Sequence, residues 1–293
     1  MVFALGLGDR LFGVSHECDF PAAAKTKPVV VKRTIPVEAM SLAEIDAAVT
    51  ARVGSGESLY EVDERLLERI APTHILTQAL CQVCAPSGTE ITRALAALPV
   101  KPQVVWFTPS CLEDVFANIR ELGAVTGTGE RAEALIAEGR ARLARVAERT
   151  HMAATRPRVM FLEWLDPFFC AGHWVPEMID LAGGHDPLGR NRADSVRIVA
   201  EEIVAAAPEV LIVSPCGFGL DAAYEQARQL VRRGEFAQLP AVRGGRVFAV
   251  NADAYYARPG PRVVDGTELL AHLLHPDRVA WTGADGAFRR VSA

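Results

Sequence analysis

The sequence lacks any uninterrupted apolar window of about 18 or more residues, so nothing in it reads as a membrane-spanning helix. It has no long Lys/Arg stripe, and at a net charge of −5 it carries no footprint for neutralising nucleic-acid phosphates. The first residues, Met1 to Asp9, show neither a basic leader region nor a cleavage site. As written, that start predicts a cytoplasmic protein, with periplasmic or surface-anchored placement only if the true start lies upstream. Its six cysteines are then expected as thiols. Phosphate chemistry is poorly supported. Gly54-Ser55-Gly56 and Gly127-Thr128-Gly129 lack the lysine of a P-loop, and Gly6-Leu7-Gly8-Asp9 lacks the third glycine of a dinucleotide fingerprint. Low-complexity segments and heptad runs are absent too.

What remains is a chain of 293 residues, half of them apolar and 23% charged, which suits two globular domains better than one core. Apolar strand-like runs alternate with helical periods, the pattern of an α/β fold. Two stretches repeat the same unit. Ile70-Ala71-Pro72 leads into His74–Thr77, and Ala206-Ala207-Pro208 leads into Val210–Val213. Farther on, Leu98-Pro99 precedes Val104–Phe107 and Leu239-Pro240 precedes Val247–Val250. Between the copies runs the longest helical pattern, Glu130 to Arg149, with Ala132, Leu135, Ile136, Leu143 and Val146 on one side. The expected architecture is two Rossmann-like lobes joined by a single long bridging helix. The predicted boundaries are 1–127, a bridge at 128–150, a second lobe at 151–280, and a tail at 281–293 with no assigned role. Capping boxes are expected at Ser41/Glu44 and Ser87/Glu90.

Ligands of open α/β sheets sit beyond the carboxyl ends of the strands, so the loops there are the candidate site. They hold His16, Glu17, Cys18 and Phe20; Cys81 and Cys84; Phe168, Phe169, His173 and Trp174; Cys216; and Tyr255 and Tyr256. Thiolate and imidazole suit a soft or borderline metal, which makes His16, Cys18, Cys81 and Cys84 a candidate ligand set for a bound metal ion. The aromatics would wall a large ring system. Set against both, cysteine is among the most buried residue types, and one Cys-x-x-Cys lacks the second pair of a closed zinc site. A thiol enzyme is the remaining alternative, with Cys216 before Gly217 as nucleophile and His173 as base, though no acidic orienter is evident.

The segments Ala4–Leu11, Ser15–Pro21, Gly56–Tyr60, Leu80–Ala85, Gly172–Glu177 and Arg258–Arg262 together give the chain a resemblance. It resembles the cobalamin-binding proteins of the helical-backbone metal receptor superfamily, the substrate-binding components of ABC importers for cobalamin, siderophores and haem. The resemblance implies a non-enzymatic protein that holds a cobalamin or other corrinoid or metal chelate in an inter-lobe cleft. It implies ring contacts from Phe20, Phe169 and Tyr255. It also implies an ABC permease partner, met by one surface glutamate per lobe, Glu90 and Glu201. The chain departs from the pattern in three places, one of them Glu90, which sits where a capping box with Ser87 would hold it. The family's first strand has no match before Ala4, and Val199-Ala200 stands where relatives carry a capping Ser and a Trp.

Overall fold

The computed structural model describes residues 1–78, 94–95 and 98–292. They form two compact α/β units that are each discontinuous in sequence: Met1–Thr108 with Arg120–Ala132, and Pro109–Ile119 with Glu133–Ala293. The long helix Gly129–His151 starts in the first unit and continues in the second. The preceding helix, Leu112–Thr126, also contributes to both. Among the described residues no helix is long and apolar enough to cross a membrane.

In the first unit, β1 (Val14–Ser15) runs parallel to β2 (Val29–Arg33), and β2 runs antiparallel to β3 (Tyr60–Val62). A separate pair joins β4 (His74–Gln78) to β5 (Gln103–Phe107) in parallel. Helix Leu42–Ser55 starts where its sequence says it should. Ser41 Oγ accepts from Glu44 N–H, and Glu44 Oε2 accepts from Ser41 N–H at 2.7 Å. Helix Glu64–Ile70 is capped by Asp63, which accepts from Leu66 N–H at 2.8 Å. The apolar residues Leu11–Val14 contribute only Val14 to a strand, and Phe12 lies 61% exposed ahead of it. The Ser87/Glu90 box lies outside the described residues.

The second unit has one sheet in the order β10-β9-β8-β6-β7. Strands β6 (Val159–Leu165), β8 (Val210–Val213) and β9 (Val247–Val250) are mutually parallel. Every residue of β8 and β9 is buried, so the continuous apolar runs reflect a sheet covered on both faces. Strand β7 (Phe168–Cys170) folds back antiparallel on β6, which corrects the expectation that Phe168 and Phe169 lie in a strand-end loop. Cys170 closes this strand. The tail expected to have no role supplies β10 (Phe288–Val291), antiparallel to β9. Its Arg289 and Arg290 are exposed on the outer strand of the sheet, which hides the strand signal in the sequence.

The repeat is visible in detail. Helix Glu64–Ile70 ends on Ala71 at φ 46°, and helix Ala200–Ala206 ends on Ala207 at φ 44°; each precedes the repeated proline. A left-handed alanine costs about 1 kcal/mol or more, and a following proline disfavours the right-handed alternative. The same cap has therefore formed twice, leading once into β4 and once into β8.

The long helix is pinned within the second unit by charge. Arg142 donates Nε to Glu268 Oε1 at 2.9 Å and Nη2 to Asp265 Oδ1 at 2.5 Å, both on the closing helix Val263–Leu274. These side chains are 27–31% exposed, so the pairing is largely shielded from water. Replacing Arg142 by methionine leaves two carboxylates facing an apolar stem. The expected loss is roughly 2–3 kcal/mol in urea unfolding, with an unchanged slope.

Candidate functional site

The carboxyl ends of β6 and β8 carry a ridge of partly exposed aromatic rings. Trp164 stands opposite Phe169 in the β6–β7 register, so both side chains lie on one face of the hairpin. Both are half-buried. Leu165 and Phe168 form the next pair and point the other way, where Phe168 meets Phe236 at 5.6 Å and lies under the Arg233 guanidinium. Strand alternation thus splits the predicted pair: Phe169 stays at the surface, and Phe168, 6% exposed, belongs to the core.

Trp164 is held by its indole N–H, which donates to the Asp166 carbonyl at 3.0 Å. Its ring is 5.7 Å from that of Phe218, at 56°. Phe218 reaches that position through the turn after β8, where Gly217 takes φ +79° and Cys216 N–H donates to the Glu163 carbonyl at 3.0 Å. Arg197, paired with Phe169 by a β-bridge, places its guanidinium 5.8 Å from that ring. Trp164, Phe169, Phe218 and Arg197 therefore combine flat apolar surface with one cation. Trp164, Phe218 and Arg197 were not among the predicted ligand residues. Trp164 was legible, as an aromatic in the last turn of the pleat before Asp166-Pro167.

The remaining predicted residues of this unit lie elsewhere. Because β7 runs antiparallel, it carries the chain away from the carboxyl end of β6, so His173 and Trp174 follow its far end. His173 takes φ +53°, fixed by its N–H to the Ala193 carbonyl and its own carbonyl to Arg192 N–H, and its Nε2 lies 3.0 Å from Asp194 Oδ1. It is thus not placed as a base for Cys216, which is exposed in the turn after β8. Trp174 is 4% exposed and donates its indole N–H to the Tyr256 carbonyl at 2.9 Å. Tyr256, 2% exposed, donates its hydroxyl to the Gly266 carbonyl at 3.1 Å and packs edge-on against Phe161. Burial holds its phenol well above the usual range. Tyr255, 8% exposed, packs at right angles on Trp281, and burial likewise raises its phenol, against the opposing pull of Arg262. Neither tyrosine is set to present a phenolate to a metal. Cys111 and Cys170 are buried, and desolvation pushes both thiols up, away from reactivity.

One carboxyl in this unit is under strain of solvation. Asp186 accepts from Leu188 N–H at 3.0 Å and Gly189 N–H at 2.9 Å through Oδ1, while Oδ2 is enclosed with no hydrogen-bond partner. Burial raises its pKa to about 7, against the amides of Leu188, Phe161 and Gly189, which favour the charged form.

In the first unit, Ser15 to Cys18 make a tight turn closed by Cys18 N–H to the Ser15 carbonyl at 3.0 Å. His16 has both ring nitrogens engaged, Nδ1 with the Val31 carbonyl at 3.3 Å and Nε2 with Glu17 Oε1 at 3.1 Å. Cys18 is exposed, its Sγ 3.4 Å from Ser15 Oγ, and Phe20 is 60% exposed. Cys81, Cys84 and Glu90 lie outside the described residues. Among the described residues no group of three His, Cys, Asp or Glu side chains is arranged to hold a metal ion. His16 and Cys18 alone do not amount to a resident metal centre.

Two α/β units sharing one long helix, with a ring-lined rim, describe a solute-binding protein. The chain belongs to the periplasmic binding protein family, whose sequence profile matches residues 83–254, more than half of it. The vitamin B12-binding protein of Vibrio parahaemolyticus serotype O3:K6 is 22% identical over 278 residues, covering 93% of this chain and 85% of the relative. That of Vibrio cholerae serotype O1 is 23% identical over 279 residues, covering 94% and 84%. Among solved structures, a periplasmic haem-binding protein from Pseudomonas aeruginosa superposes with a TM-score of 0.73 at 20% identity, covering 100% of this chain and 94% of that one. The periplasmic vitamin B12-binding protein of Vibrio cholerae gives 0.65 at 22% identity, covering 94% and 92%. These superpositions establish the fold. Family membership also overturns the cytoplasmic placement read from the first residues, because the family is one of periplasmic binding proteins. It is a family of solute binders rather than enzymes, so the thiol-enzyme alternative falls away.

Proposed function

We propose that this protein captures a metal chelate of the cobalamin type and presents it to an ABC permease. The observation that supports this most is the half-exposed ridge of Trp164, Phe169 and Phe218, with Arg197 beside it. Flat rings at the carboxyl ends of parallel strands suit the edge of a macrocycle better than a bare ion or a sugar. Relatives named for binding vitamin B12 and haem support a ligand of that chemical class. Cobalt in a corrinoid arrives with its own equatorial ligands, which suits a site where Tyr255 and Tyr256 stay neutral and enclosed. In the first unit His16, Glu17, Cys18 and Phe20 are the candidate contacts, with Cys81 a further one from outside the described residues.

For permease docking the candidate on the second unit is Glu201, exposed on helix Ala200–Ala206. That helix starts without a capping hydroxyl, but Glu202 Oε2 accepts from Val199 N–H at 2.8 Å and supplies half of a capping box. Glu90 is its proposed counterpart.

Thermal melting in the presence of hydroxocobalamin, haemin and simple divalent ions tests the class. A ligand at a hundredfold excess over its Kd is expected to add about 2.7 kcal/mol. Stabilisation by the corrinoid supports the reading. Stabilisation by ions alone, or by nothing in the panel, refutes it.

A further inference from the structure

Strand β10 runs antiparallel to β9 with Phe288 opposite Val250, the last residue of β9. The chain leading into it, Trp281 to Ala287, therefore lies at the carboxyl ends of the second unit's parallel strands. Asn251 N–H, just past β9, donates to the Ala287 carbonyl at 3.0 Å. This is the end of the sheet that carries Trp164 and Phe218. Strands β6, β8 and β9 are consecutive neighbours, so at about 4.8 Å per strand the ends of β6 and β9 lie about 10 Å apart.

The loop before β10 is built around one ring. From Thr282 to Gly286 every residue is exposed, whereas Trp281 is half-buried. Its indole N–H donates to the Ala284 carbonyl at 3.2 Å, which folds the loop back over it. Gly283 packs so closely on the indole that a Cβ there would stand 2.2 Å from it. Gly286, at φ +77°, then turns the chain into β10. The Trp281 ring meets that of Tyr255 at right angles, with centroids 6.0 Å apart. Tyr255 was a candidate contact from its place after β9, yet it is only 8% exposed, and Trp281 is the more exposed ring there. Ala287 and Val291, 2% and 1% exposed, together with the ladder to β9, already fix the tail to the sheet. Trp281 adds a flat apolar surface to the rim instead.

We propose that Trp281 is a further ligand-contact residue, carried by the tail to the β9 end of the rim. It extends the ring-lined surface from the ends of β6 and β8 to the end of β9, where it takes the apolar periphery of the same metal chelate. This role rests on the chelate reading given above. A substituted corrin or porphyrin is broad enough to touch both ends of that span. The indole N–H is already engaged by Ala284, so the contact belongs to the ring, and phenylalanine can replace it.

Trp281→Ala is expected to weaken hydroxocobalamin binding about tenfold in calorimetric titration, and Trp281→Phe to stay within about threefold of the native protein. Labelling with fluorotryptophan separates contact from packing. The chain has four tryptophans, and the fluorine resonance of Trp281 is assigned by its loss in Trp281→Phe. That resonance is expected to shift as hydroxocobalamin saturates the protein, while that of Trp174, 4% exposed in the core, stays in place. An unmoved Trp281 resonance in a protein that binds hydroxocobalamin overturns this role and leaves the chelate reading standing. So does native affinity in Trp281→Ala, or tighter binding, which would make the loop a cover over the site. A native protein that takes up no hydroxocobalamin overturns the chelate reading and the role of Trp281 with it.

Discussion

Trp164→Ala is expected to weaken corrinoid binding about 30-fold, close to 2 kcal/mol, with little change in the folded fraction at room temperature. The residue is half-buried at the carboxyl end of β6, beyond the wholly buried stretch Val159–Leu162. Truncation therefore removes ligand contact more than core. A large aromatic in contact with a bound ring system is the kind of side chain that dominates binding energy. Phe218→Ala is expected to cost less, about tenfold, because the smaller ring gives up less area. Since the two rings touch at 5.7 Å, the double variant should fall short of the summed effects. Met152→Ala, at a side chain 69% exposed just past the long helix, serves as the neutral control. Calorimetric titration of the four proteins checks this. Binding unaltered by loss of Trp164 would move the ligand away from the β6–β8 rim.

A second large effect concerns pH and Asp186. Its carboxyl has a folded pKa of about 7, against an ordinary 3.8, so the folded chain holds that proton more tightly than the unfolded chain. This group's contribution is full below pH 4 and is lost as the pH rises toward 7 and through it. The shift converts to a loss of about 4 kcal/mol across that window. Asp186→Asn keeps an oxygen for the Leu188 and Gly189 amides and removes the titration. Urea unfolding at intervals from pH 4 to pH 8 should show the native protein losing ground to the variant by that amount. Two profiles that stay parallel would mean that Asp186 is ionised throughout.

The same contrast between side chain and surroundings explains what the residues disclosed before the structure did. Runs such as Val210–Val213 and Val247–Val250 read as covered strands and are so, and the paired prolines pointed to two similar halves. Ser41 with Glu44 marked a helix start that the backbone confirms. Helix Leu112–Thr126 was legible and went unread: Leu112, Val115, Phe116, Ile119 and Leu122 recur at helical spacing and are all buried.

The candidate site was harder, because position along a chain does not reveal which way a ring points. Phe168 and Phe169 are chemically identical neighbours, separated only by the alternation of a three-residue strand that lies beside a proline turn. Trp174 and Tyr256 look like ligand walls in sequence, yet inside the core Trp174 donates to the Tyr256 carbonyl and Tyr256 to the Gly266 carbonyl. His173 and Cys216 both follow strands, but those strands run in opposite directions. The Arg197 contact to Phe169 depends on a β-bridge across a loop, which no local pattern encodes.

Equilibrium dialysis of the purified protein against cyanocobalamin, with haemin in a parallel series, bears most directly on the claim that this chain is a chelate carrier. Saturable uptake that levels at about one corrinoid per chain is the expected result, reduced in the Trp164→Ala variant. Uptake that rises linearly without saturating for both compounds, or that ignores the loss of Trp164, would contradict it.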